Sequence, residues 1–110
     1  MKENSITQTM LSRKSIRRYQ PDMPDDKTIQ TVVRAGQQAP FASQLCSVLL
    51  SRNQEKNKFK APLLFTLCVD AHKWELIMAE RGWRMEGDDL LLLVLGMQDA
   101  ALMAENMVIA

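Results

Sequence analysis

A chain of 110 residues that is 46% hydrophobic and 25% charged has the balance and length of one ordinary globular domain, which excludes collagen, intrinsic disorder and extended coiled coil. With 14 Lys and Arg against 13 Asp and Glu, the formal charge of +1 provides no global field for nucleic acid or an anionic membrane, so any anion site must be local. At this size folding hides roughly two thirds of the unfolded surface, enough for one core without disulfides or metal.

In chain order, a short helix is expected from Ser5 to Ser12, capped by Asn4 or Ser5, with Ile6, Met10 and Leu11 as its apolar edge. The basic cluster Arg13, Lys14, Arg17 and Arg18 follows, within a segment that reads as extended from Ser15 to Gln20. Pro21 and Pro24 hold the chain in extended or turn geometry until Asp25 or Asp26 caps the next helix, which should reach about Gln38. Its apolar positions Ile29, Val32, Val33 and Gly36 recur at helical spacing and leave Lys27, Gln30, Thr31 and Arg34 for the solvated side. Gln44 to Ser51 reads as a strand, Arg52 to Lys60 as a polar loop or frayed helix, and Leu63 to Val69 as a near-continuous buried strand. Asp70 begins a turn or cap. Trp74, Ile77 and Met78 mark one face of a helix ending near Gly82, and the last long helix starts at Asp88 or Asp89 and runs to the chain end.

Cys46 and Cys68 stand far apart in apolar surroundings, which suits neither a disulfide scaffold nor a zinc site and favours a reduced, cytoplasmic setting. The polar start Met1 to Met10 lacks the apolar core of a secretory signal. Leu90 to Ala110 is apolar enough to suggest a membrane span, but Gln98, Asp99, Glu105 and Asn106 interrupt it, and a helix buried in protein on most faces is the expectation. Because Ala110 closes a sequence still patterned as helix interior, a single domain over residues 1–110, truncated at its C-terminus, is expected.

Two segments could carry chemistry. Alternation along Arg13-Lys14-Ser15-Ile16-Arg17-Arg18 would aim Arg13, Ser15 and Arg17 to one side, where guanidinium groups and a hydroxyl can grip one phosphate. On composition alone the same run is a solvated basic turn. In Ala39 to Ser47, small residues between helix and strand would let a flat ring approach the backbone, with Ser43 and Gln44 hydrogen-bonding its polar edge. By itself that stretch reads as a plain helix-to-strand connection.

In this order the two segments resemble the N-terminal half of the nitroreductase family of flavin enzymes. The resemblance rests on Arg13-Lys14-Ser15-Ile16-Arg17-Arg18-Tyr19, the helix end Ala35 to Ala39, Pro40 to Ser47, Ala61-Pro62 opening a strand, and Gln98-Asp99-Ala100-Ala101 leading to Ala104-Glu105-Asn106-Met107. It implies an α+β fold of helices on a small sheet with a long central helix, the C-terminal part being absent. It also implies an FMN-dependent enzyme that takes a hydride from NAD(P)H and reduces a nitro compound, quinone or similar small electrophile, the flavin carrying the chemistry. By position, Arg13, Lys14, Ser15 and Arg17 would bind the FMN phosphate and ribityl region. Pro40, Phe41, Ala42 and Gln44 would flank the isoalloxazine ring of the neighbouring subunit, which implies a homodimer. Phe41 and Ala42 stand where the family usually has serines, and Gln44 where it has Asn, so a hydroxyl contact to the ring is lost. Cys46, Ser47 and Val48 replace the usual Gln-Pro-Trp, which changes the pocket wall.

Other readings are structural. His72, the only histidine, reads as a helix-start residue, and the two cysteines as inert. Glu86, Asp88 and Asp89 read as a turn and cap, and Met97, Met103 and Met107 as core or dimer packing. The alternative to a flavin enzyme is a catalytically inactive fragment or helical oligomerisation module without cofactor.

Overall fold

The computed structural model describes residues 4–110, so the first three residues of the polar Met1–Met10 stretch lie outside it. The described chain is α+β. Its elements are α1 (Ser5–Leu11), α2 (Asp26–Gln37), β1 (Cys46–Ser51), β2 (Leu64–Val69), α3 (His72–Glu80) and α4 (Asp89–Ile109), with a 3₁₀ turn at Gln54–Lys56 between the strands.

Helix starts follow capping chemistry. The first turn of a helix leaves its amides without intrahelical partners, and a short side-chain oxygen just upstream can accept from one of them. Asn4 does so for Thr7, Asp25 for Thr28 and Asp88 for Leu91. At α3 the capping position is Ala71, which has no oxygen to offer, and the Asp70 carboxylate accepts from Lys73 N–H at 3.3 Å instead. Ile6, Met10 and Leu11 of α1 are all exposed, so the expected apolar edge buries little.

The clearest expectation is met in α2: Ile29 and Gly36 are buried, Val32 and Val33 are half-buried, and Lys27, Gln30, Thr31 and Arg34 face water. This face lies on α4. A Cβ placed on Gly36 would sit 2.7 Å from Met107 Cγ, so glycine permits the close approach. Asn106 Nδ2 donates to Ala35 O at 3.0 Å and ties the C-terminal end of α2 to α4.

The strands pair antiparallel, from Cys46 opposite Val69 to Ser51 opposite Leu64. Side chains alternate between faces, and Cys46, Val48, Phe65 and Leu67 share the face that packs against Met103 and Met107 of α4, joined by Val32, Phe41 and Ala100. The connection between the strands is held by buried Asn57, which donates to Ala61 O at 3.3 Å and accepts from Phe59 N–H at 3.0 Å.

Two expectations are corrected. The second strand is not continuously buried, since Leu64 and Thr66, on the face away from α4, are exposed. Burial on both faces needs a layer on each side, and within the described residues α4 covers only one face. The last helix is not buried on most faces either. Its buried residues are Gly96, Asp99, Met103 and Met107, a single stripe at helical spacing, while Leu90, Leu91, Leu93, Val94, Met97 and Val108 are exposed. By length and composition α4 is long and apolar enough to cross a membrane. Its buried stripe seats on α2 and the sheet. In α3, Trp74 and Met78 face a cavity shared with Leu91, Leu92 and Leu95, whereas Ile77 points outward.

Candidate flavin site

The loop from Ala39 to Leu45 carries α2 into β1. Ala39 and Leu45 are buried at its ends, and Phe41 N–H donates to Ala39 O at 2.8 Å. Between these anchors Pro40, Ala42, Ser43 and Gln44 are exposed, and Phe41 is half-buried against the core of Cys46, Met103 and Met107. Gln44 adopts φ +54°, a left-handed conformation uncommon outside glycine, so the strand starts two residues later than the expected Gln44.

What holds this loop is Asp99, in the middle of α4 and fully buried. Its Oδ1 accepts from Ala42 N–H at 2.8 Å, and its Oδ2 accepts from Ser43 N–H at 3.2 Å and Leu45 N–H at 2.9 Å. Burial by itself would push this carboxyl up, but the amides of Leu45, Ala42, Ser43 and Gln44 favour the charged form and leave its pKa below the ordinary value of 3.8. Asp99 is therefore an anion neutralised by backbone dipoles.

Beside the loop, Gln37, Phe41, Gln44, Ser47 and Lys73 line a cavity of about 440 Å³. The Lys73 ammonium donates to Cys46 O, and the Ser47 hydroxyl donates to the Asp70 carboxylate. That hydroxyl, more than any other neighbour, holds the Asp70 carboxyl below the usual carboxylate range. Burial pushes the Cys46 thiol up, against the opposing charge of Lys73.

Arg13, Lys14, Ser15 and Arg17 all lie exposed in the irregular segment between α1 and α2. Arg13 and Lys14 line a second cavity, of about 460 Å³, with Thr9, Glu105 and Val108; Ser15 and Arg17 lie outside its wall. Among the described residues no carboxylate pairs with Arg13, Lys14 or Arg17; Arg52 pairs with Asp26, and His72 Nδ1 lies 3.0 Å from the Glu75 carboxylate. Arg13 and Lys14 of the basic segment and Phe41 and Gln44 of the loop thus line separate cavities. Among the described residues no cluster of His, Cys, Asp and Glu has metal-binding geometry.

The holding role of Asp99 escaped the sequence reading, in which it figured as an interruption of an apolar run and as part of a motif. A lone carboxylate amid Leu, Val and Met was the available signal, because a buried charge requires partners.

A small sheet covered on one face by a long helix, with an anchored loop entering the first strand, defines an α+β fold of helices on a two-stranded sheet. The profile of the nitroreductase family matches residues 10–81, and the chain belongs to that family. No curated protein matches the sequence. Among solved structures, NfrA2 of B. megaterium superposes with TM-score 0.90 at 20% identity over 97% of this chain and 50% of its own. The NfrA1 nitroreductase of B. subtilis gives 0.86 at 23% identity over 96% and 49%. The NADPH:FMN oxidoreductase of Vibrio harveyi, in complex with NAD+, gives 0.83 at 23% identity over 96% and 50%. The chain spans about half the length of the structures it matches.

Proposed function

We propose that this single domain supplies the N-terminal half of the FMN site of a cytoplasmic NAD(P)H oxidoreductase that reduces a nitro compound, quinone or similar small electrophile. The observation that carries the reading is the presence, inside a family-matched segment, of exposed cations at Arg13, Lys14 and Arg17 with which no carboxylate pairs among the described residues, and of a loop at Pro40–Gln44 whose Pro40, Ala42, Ser43 and Gln44 are exposed. The donor set fits the cofactor. Guanidinium and ammonium groups suit a phosphate, and the Gln44 amide, a donor and acceptor, suits the polar edge of a flat heterocycle.

When bound, FMN supplies the hydride and electron chemistry. The chain's own residues bind and orient it: Arg13, Lys14, Ser15 and Arg17 hold the phosphate and ribityl end, and Pro40, Phe41, Ala42 and Gln44 wall the ring. That Arg13 and Lys14 line one cavity and Phe41 and Gln44 another supports a site completed between two copies, a homodimer in which each loop serves the ring of the other subunit. The near-neutral charge favours a small-molecule partner over nucleic acid.

The exposed apolar sides of α4 favour a second reading, an oligomerisation module without cofactor. Adding FMN to the purified chain and recording the visible flavin spectrum, FMN affinity and NAD(P)H oxidation separates the two. Saturable binding with NAD(P)H consumption supports the flavin enzyme; a colourless, inert oligomer supports the module.

A further inference from the structure

Asp99 is the largest fully buried side chain among the described residues, and no cation accompanies it. Fixing a loop does not by itself require a charge. An asparagine would offer one acceptor oxygen, whereas three amide protons arrive here at 2.8, 3.2 and 2.9 Å on the two oxygens of one carboxylate. Only the ionised form has lone pairs for all three with no proton of its own in the way.

Successive backbone N–H groups that converge form a concave anion cradle, the kind of site that elsewhere takes phosphate. In this loop the cradle opens inward, and Asp99 fills it from the central helix. Two consequences follow for its outer surface. The amides of Ala42, Ser43 and Leu45 are occupied, so no phosphate can use them. With those amides turned inward, the side chains of Ala42, Ser43 and Gln44 are left exposed, and Gln44 is held at φ +54°.

We propose that Asp99 is a positioning residue for the flavin: by filling this cradle it preorganises the Ala42–Leu45 loop as a ring-facing wall and sends the cofactor's phosphate to the basic segment. The inference rests on the flavin reading above. Asp99 touches no cofactor atom; it acts through the loop.

The test uses the whole chain and FMN itself. In the wild-type protein without FMN, the amides of Ala42, Ser43 and Leu45 exchange slowly with solvent, and adding FMN leaves their protection unchanged. Fast exchange that slows only when FMN is added overturns a preorganised loop. In Asp99→Asn, whose amide turns a donor toward the loop N–H groups, these amides lose protection while those of β1 and β2 keep theirs. FMN affinity then falls at least tenfold and the flavin absorbance band shifts. Arg17→Ala, which touches only the phosphate end, weakens FMN without that shift. Should Asp99→Asn not fold, the wild-type exchange measurement still decides the matter. Unchanged FMN affinity and spectrum in a folded Asp99→Asn chain overturn the positioning role and leave the flavin reading standing. Failure of the wild-type chain to bind FMN overturns the flavin reading, and this inference with it.

Discussion

Gly96 lies so close to Val69 that a Cβ added to it would stand 2.4 Å from Val69 Cγ1 and 3.0 Å from the backbone oxygen of Leu45. The central helix is thereby pressed onto the last residue of β2 and onto the residue that precedes β1. Glycine inside a helix normally weakens it by about 1 kcal/mol relative to alanine, yet here the missing side chain is what allows helix and sheet to meet. Gly96→Ala should destabilise the chain by about 1–3 kcal/mol, the usual range for overpacking, because a backbone oxygen cannot move aside. At Gly36 the obstruction is the flexible Met107 side chain, so Gly36→Ala should cost less. Urea midpoints of the two variants check the order, and a larger loss at Gly36 would contradict this account of the packing.

The bond from Asn106 to Ala35 joins α2 to α4 in a half-buried setting. Its removal in Asn106→Ala leaves the Ala35 carbonyl with the Gln38 N–H alone and should lower stability by about 1 kcal/mol. Thermal unfolding gives the measurement; an unchanged midpoint would mean water replaces the amide without loss.

Acid should unfold the chain partly through Asp99. Its folded pKa lies below 3.8, so the unfolded state binds protons more readily as pH falls through that value. The contribution of the ionised group is complete above 3.8 and disappears as pH falls through the folded pKa. Asp25 and Asp70, also lowered, act in the same direction. Urea midpoints on either side of pH 3.8 should therefore fall less steeply for Asp99→Asn than for wild type, and equal slopes would exclude Asp99 as a source of the acid sensitivity.

The two cysteines should differ in reactivity. Cys46 is buried, with its thiol pushed up by burial, while Cys68 lies half-buried on the opposite face of the sheet, in β2. Alkylation of the folded chain at neutral pH should label Cys68 first, since the thiolate is the nucleophile and must be reachable. Peptide mass mapping at early times reads the order directly.

If FMN binds as proposed, Arg17→Ala should weaken it more than Arg84→Ala, because only Arg17 belongs to the segment assigned to the phosphate. Fluorescence titration of FMN against each variant decides this, and equal losses would remove Arg17 from the site.

Local signals carried much of the fold. Ile29, Val32, Val33 and Gly36 announced the packed face of α2, and Asp25 and Asp88 announced two helix starts. Burial was misread where the pattern says only that a residue is apolar. Leu64 and Leu93 look like core residues in the sequence, yet what covers a side chain depends on layers that no local pattern encodes. The candidate loop and the basic segment were legible as motifs. Their clamp was not, because the partners of Asp99 are backbone amides as far as 57 residues upstream, and a backbone donor has no letter in the sequence.

The bond from Leu45 N–H to Asp99, with the one its carbonyl accepts from Asp70 N–H, bears on the parity of the sheet. A strand repeats every two residues, so the point where the chain enters β1 determines which alternate set of side chains is dry. With Leu45 anchored and Gln44 turned left-handed, Cys46 and Val48 face α4. Entry one residue later would put Ser47, Leu49 and Ser51 against Met103 and turn the thiol of Cys46 outward. A carboxylate on a distant helix thus takes part in choosing which of two faces of a ribbon is dry.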